Sequence, residues 1–300
     1  MTEAAQKILD GDVRALARAA TWIENRSPEA EPLLRELFPH TGRTLVIGVT
    51  GPPGAGKSTL CDQFARLIRK EGKTVGIIAV DPSSPYSGGA VLGDRIRMQQ
   101  HHADPGVFIR SMATRGCLGG LARATTEMTM LLEAAGRDVV LVETVGVGQD
   151  EVEIARLAHV TLVVLTPGAG DDVQTLKAGI MEIAQVFVIN KSDLPGTDKL
   201  QREIQAAMGL AQGPEVEIVS TVALEGTGIA DVLAAARRAE PRGRDAERSA
   251  QLWAARLREM LRDRMLDQFS SETFLAAGRE VASHQRDPYT ILNEWLKSKN

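Results

Sequence analysis

Short apolar runs rich in valine and isoleucine recur along the middle of the chain, with helical stretches between them. They are TLVIGVT, TVGIIAV, VFIRS, VVLVET, VTLVVLT, VFVIN and VEIVS, all between Arg43 and about Ala239. Polar and apolar positions hardly alternate within them. Strands covered on both faces look like that, so the pattern predicts a parallel α/β sheet flanked by helices. Before the runs, Ile8, Val13, Leu16, Ala20 and Ile23 fall near one face of a helix that ends at Ser27-Pro28. A shorter helix is expected from Glu29 to Phe38, and Pro39-His40-Thr41-Gly42 breaks the pattern. Near Glu240 the composition shifts. PRGRDAERS reads as a charged linker, and helix without strands follows it. There Trp253, Leu257, Leu261, Met265 and Phe269 recur every four residues. Such a stripe either packs on the chain's own core or pairs with another subunit. The expected division is a helical extension over 1–42, an α/β domain over 43–240 and a helical region over 241–300.

Composition acts mainly by exclusion. With 43% hydrophobic and 25% charged residues among 300, the chain has the means to bury a sizeable core. The 35 basic and 39 acidic residues leave a net charge of −4, which argues against binding nucleic-acid backbones. Aromatics at 4% argue against base-stacking platforms. Cys61 and Cys117 stand far apart with no C-x-x-C pair, so neither a zinc ribbon nor a disulfide framework is indicated. The N-terminus lacks an apolar signal core, and the longest apolar runs are strand-length. A cytoplasmic chain without a membrane partner is expected.

The strongest chemical signal is Gly51-Pro52-Pro53-Gly54-Ala55-Gly56-Lys57-Ser58, which fits the phosphate loop G-x-x-x-x-G-K-[ST]. A strand precedes it and a helix follows, with Thr59 next in line. The glycines let backbone N–H groups turn onto phosphates at a helix N-terminus. Lys57 is the expected cation for the β- and γ-phosphates, and Ser58 the hydroxyl for Mg²⁺. Three acids stand near strand ends or loops where a metal and γ-phosphate would sit: Asp81, Asp94 and Glu143. Lys57, Glu143 and Asp94 are the catalytic candidates. Asn190-Lys191-Ser192-Asp193 follows the strand VFVIN and has the N-K-x-D form. An ionised carboxylate only accepts hydrogen bonds, so Asp193 suits the N1–H and N2–H₂ donors of guanine, a pair that adenine lacks. The backbone of Val222-Ala223, after VEIVS, is expected near the guanine oxygen, although many GTPases carry Ser-Ala there. His101-His102 is a poor metal pair, because adjacent side chains on a helix point apart.

GPPGAGKST, VDPSSPYSGGAVLGDRIRM, FIRSMATRG, ETVGVGQDEVEI, TPGAGDDVQTLKAGIMEIA and NKSDLPG together resemble the MeaB/ArgK-type P-loop GTPases, relatives of the human methylmalonic aciduria type A protein. The resemblance spans nearly the whole chain. It implies hydrolysis of GTP to GDP and phosphate with Mg²⁺, and a chaperone role for an adenosylcobalamin-dependent acyl-CoA mutase, most of all methylmalonyl-CoA mutase. It implies a homodimer through the C-terminal helices, and metal and switch roles for Asp81, Asp94 and Glu143. It also implies an extra switch over Pro167 to Lys177, with Gln174 and Lys177 coupling to the partner. Three other functions compete. A kinase or ATPase of basic amino-acid transport would leave the Asp193 acceptor unmatched. A metallochaperone GTPase would need a Cys/His cluster that the sequence lacks. A targeting GTPase would need a basic, Met-rich domain. No glutamine directly follows Glu143-Thr144-Val145-Gly146, so slow turnover is expected, on the order of minutes per GTP.

Overall fold

The computed structural model describes residues 1–81, 101, 103–113, 120–144, 157–168, 183–210, 216–240 and 246–297. Each of the seven apolar runs forms a strand: β1 (Leu45–Thr50), β2 (Val75–Asp81), β3 (Val107–Ala113), β4 (Val139–Glu143), β5 (Val160–Leu165), β6 (Val186–Asn190) and β7 (Glu217–Thr221). All pair in parallel, in the order β3-β2-β4-β1-β5-β6-β7. Helices α1 (Glu3–Leu9), α2 (Val13–Glu24), α3 (Ala30–Leu37) and α5 (Gly120–Ala134) build one core with Val46, Ile78 and Val140. Helices α4 (Lys57–Lys70) and α7 (Ile229–Ala239) build another with Ile47, Val49, Ile77 and Leu141. Neighbouring residues of one strand thus enter different cores, which is why the runs are apolar without alternation. Helix α6 (Thr197–Leu210) covers Val163, Leu165, Phe187 and Ile189 with Leu200 and Ile204.

The first helix differs from the sequence expectation. It breaks between Leu9 and Val13, and the Asp12 carboxylate caps the second piece by accepting the Ala15 N–H at 2.8 Å. Val13, at the start of α2, is consequently exposed while Leu16, Ala20 and Ile23 are buried. The next helix ends at Leu37, and a 3₁₀ turn over Phe38–His40 completes the approach to β1. His101 is held by Asp62 of α4, with Nε2 and Oδ1 2.8 Å apart. Asp104 accepts from Arg69 of the same helix at 2.8 Å, and that bond holds the Asp104 carboxyl below its usual range. His102 lies outside the described residues.

β5 is tied to β1 at its start through a side chain. His159 Nδ1 accepts the Val46 N–H at 3.1 Å, and the His159 N–H donates to Val46 O at 2.8 Å. Val46 is fully buried. Substituting His159→Ala should orphan that N–H and cost about 1–3 kcal/mol in urea unfolding, whereas His159→Asn, which keeps an acceptor, should recover part of it.

The chain divides into two compact units, Met1–Arg256 and Leu257–Asn300, and the division falls within α8 (Ala246–Leu266). In the first, Trp253 meets Phe38 edge to face at 5.4 Å. The Arg256 guanidinium lies 4.9 Å from the Trp253 ring centre and donates to Leu157 O at 2.6 Å. Burial lowers the Arg256 pKa, and Glu133 opposes that shift. In the second unit, which also holds α9 (Ser271–Ala282) and α10 (Pro288–Lys297), Phe269 stacks on Trp295 at 4.7 Å. Leu257 and Leu261 are 60% and 61% exposed. The apolar stripe therefore splits: Trp253 packs on the chain's own core, and the leucines after it are open. No helix among the described residues is long and apolar enough to cross a membrane.

Candidate functional site

Because every strand runs the same way, their C-terminal ends share one edge of the sheet, and the sequence-predicted motifs lie along it. β1 sits centrally, between β4 and β5. The loop Gly51–Gly56 leaves β1 and enters α4 at Lys57. Two of its glycines are sterically required. A Cβ on Gly51 would lie 2.0 Å from Val164 O, and one on Gly56 would lie 2.3 Å from Asn190 Nδ2. Both residues also have positive φ, 135° and 90°.

Lys57 and Ser58 open α4 with buried side chains. Lys57 Nζ donates to Gly51 O at 2.7 Å and Pro52 O at 2.9 Å, so the ammonium folds back over its own loop. Ser58 Oγ donates to Glu143 Oε1 at 2.6 Å. Glu143 closes β4 in register with Val49 of β1 and Ala79 of β2, and it too is buried. The structure thus joins two predicted site residues that stand far apart in sequence. Asp81 ends β2 opposite Ala113, and its side chain is outside the described atoms. Asp94, Gln174 and Lys177 lie outside the described residues.

The base-recognition motif is anchored to the phosphate loop by one side chain. Asn190 closes β6 and is almost fully buried. Its Nδ2 donates to Ala55 O at 2.8 Å, while Oδ1 accepts from Thr221 Oγ1 at 3.1 Å and from the Ala223 N–H at 3.0 Å. Lys191 then turns the chain with φ 56°, and the Ser192 N–H donates to Thr221 O at 3.0 Å. Asp193 follows on the surface, as does Lys191. Val222 closes the neighbouring loop by pairing with Thr227. The Ala223 N–H, expected near a guanine oxygen, here belongs to Asn190. Sequence reasoning did not find Thr221's link to Asn190, nor the pair Thr50 and Thr144, whose hydroxyls meet at 3.0 Å beneath the loop. A threonine beside each motif (GVTG and ETVG) was the available signal.

The family described as methylmalonyl-CoA mutase-associated GTPase MeaB matches residues 16–274. The chain belongs to the MeaB family of GTPases. A Pyrococcus abyssi relative, described as a GTPase, is 52% identical over 236 residues, which cover 77% of this chain and 73% of that one. GTPase ArgK of Escherichia coli is 45% identical over 197 residues, 64% of this chain and 60% of that one. The solved structure of an LAO/AO transport system kinase superposes with a TM-score of 0.72 at 32% identity, covering 98% of this chain and 96% of that one. This MeaB-family chain is therefore a P-loop GTPase of α/β architecture, with helices before and after the sheet.

Proposed function

We propose that this MeaB-family GTPase gates cofactor loading and protects or reactivates an adenosylcobalamin-dependent acyl-CoA mutase, most of all methylmalonyl-CoA mutase, in the cytoplasm. The observation that carries this reading is the family match over residues 16–274. In this reading the backbone from Gly51 to Ser58, with Thr59, cradles the phosphates. Lys57 leaves its loop carbonyls to neutralise charge on the transferring phosphoryl group. Asp193 accepts the guanine donors, and Asn190 keeps that loop at a set distance from the phosphates. Lys191, Val222 and Ala223 frame the base.

Ser58 and Glu143 offer a hydroxyl and a carboxylate oxygen at one point, a donor set that fits Mg²⁺. They would hold the ion together with Asp81 and Asp94. Bound Mg²⁺ offsets the negative charge of the β- and γ-phosphate oxygens. In this reading Glu143, at the strand end, also senses the γ-phosphate. A second reading, a kinase or ATPase linked to basic amino-acid transport, would leave Asp193 facing an adenine without the matching donor pair.

The assembly is proposed as a homodimer through the helical region 241–300, and the exposed leucines of α8 support this. Leu257→Asp with Leu261→Asp in the full chain should give a monomer in light scattering and leave GTP binding within twofold, because neither residue lies in the unit that holds the site. A variant that stays dimeric would remove α8 from the interface.

The function is tested by GTP hydrolysis with and without the mutase. We expect slow intrinsic turnover, on the order of minutes per GTP, and clear acceleration by the cognate mutase. Gln174→Ala with Lys177→Ala should keep the intrinsic rate and lose the acceleration. If no cobalamin-dependent mutase accelerates the unmodified protein, the chaperone reading fails.

A further inference from the structure

We propose that Thr50 and Thr144 form a positioning pair for GTP hydrolysis, clamping the strand that enters the phosphate loop to the strand that carries Glu143. The proposal rests on the reading of Ser58 and Glu143 given above and adds two residues to which that reading gives no role. Thr144 directly follows Glu143. Its N–H donates to Val49 O at 3.1 Å, and its Oγ1 donates to Thr50 Oγ1 at 3.0 Å. Both side chains are buried, Thr50 at 0% and Thr144 at 4% exposure, so water does not compete for this bond. Its location matters more than its strength. Thr50 is the last residue of β1, and the next residue, Gly51, supplies one of the carbonyls that hold Lys57 Nζ. Glu143, on the other side of the pair, holds Ser58 Oγ.

Each strand end therefore carries one half of the phosphate machinery, and the hydroxyl pair joins them where the backbone ladder between β1 and β4 stops. Thr50 is held from its far side too, in register with Val163 of β5. Hydroxyl pairs across neighbouring strands are ordinary stabilising contacts. This one lies within one residue of both Glu143 and the carbonyl that Lys57 uses. Small misplacements of groups around a reacting phosphoryl translate into rate, while binding of the whole nucleotide depends on many backbone contacts. The pair should accordingly act on kcat and on the Mg²⁺ requirement, and little on GDP affinity.

The test uses the full chain and the isosteric variants Thr144→Val and Thr50→Val, their combination, and the conservative Thr144→Ser. Steady-state hydrolysis is measured against GTP and against Mg²⁺, with GDP affinity and Tm alongside. We expect each single valine variant to lower kcat by about tenfold and to raise the half-saturating Mg²⁺ concentration, with GDP affinity within about twofold. The double variant should lose no more than the worse single one, because one interaction is removed in all three, and Thr144→Ser should restore the rate. A fall in Tm with unchanged kcat and Mg²⁺ dependence would reduce the pair to a packing contact and overturn the proposal. So would independent losses that multiply in the double variant. Glu143→Gln separates the two readings. If it leaves the Mg²⁺ requirement unchanged, the metal reading of Glu143 fails, and the threonine pair then stands or falls on kcat alone.

Discussion

Lys57→Ala should abolish measurable GTP hydrolysis, with a loss of at least about a hundredfold, the usual scale for removing one preorganised charge-stabilising donor. The ammonium is buried and is held by the Gly51 and Pro52 carbonyls, so it already lies over the loop that would take the phosphates. Removing it takes away the cation nearest to the transferring group. Phosphate affinity should fall for that reason, and GTP more than GDP, since the γ-phosphate adds the charge that Lys57 offsets. Single-turnover hydrolysis with binding of a fluorescent GDP analogue checks both parts. Retained turnover would mean that the loop is not the catalytic element.

Asp193→Asn should shift base preference from guanine toward xanthine, whose C2 position carries an oxygen where guanine carries an amino group. A carboxylate accepts from both guanine donors, whereas a carboxamide presents one donor and one acceptor. Each wrong pairing leaves a polar group unsatisfied, and sites built on such pairing discriminate by about 10⁴–10⁵-fold. The loop offers a stiff mount for this exchange. Ser192 is bonded to Thr221, and Asn190 beneath it is bonded to Ala55, Thr221 and Ala223. The substitution should therefore alter recognition at Asp193 without moving the phosphate loop. XTP hydrolysis by the variant, compared with GTP hydrolysis by the unmodified chain, measures the exchange.

The strands were legible because a sheet covered on both faces leaves few positions for polar residues. All seven runs became strands, and the phosphate loop stands between the strand and helix its spacing required. The break at Asp12 was not legible, since Ile8 before it and Val13, Leu16, Ala20 and Ile23 after it fall near one helical face, and only the Asp12 cap reveals the restart. The meeting of Ser58 with Glu143 was anticipated as a shared metal role. The direct bond depends on β4 lying beside β1, and strand order is not written in local periodicity. Asn190 was read as part of a base motif, whereas its three bonds make it the tie between base loop and phosphate loop. Those partners come from the phosphate loop, the end of β7 and the loop after it, so only the assembled sheet could show them. The stripe from Trp253 to Phe269 admitted two readings: Trp253 packs inward on Phe38, as the first requires, and Leu257 and Leu261 are exposed, which leaves the second as a proposal for them.

The central claim is that the phosphate loop and the Asn190–Asp193 loop, tied through Asn190, form one guanine-nucleotide site. Calorimetric titration of the unmodified chain with GDP and ADP in the presence of Mg²⁺ tests it most directly. The account predicts one site per chain that binds GDP at least about a hundredfold more tightly than ADP, because adenine cannot satisfy the Asp193 carboxylate. Equal affinity for the two nucleotides would contradict it.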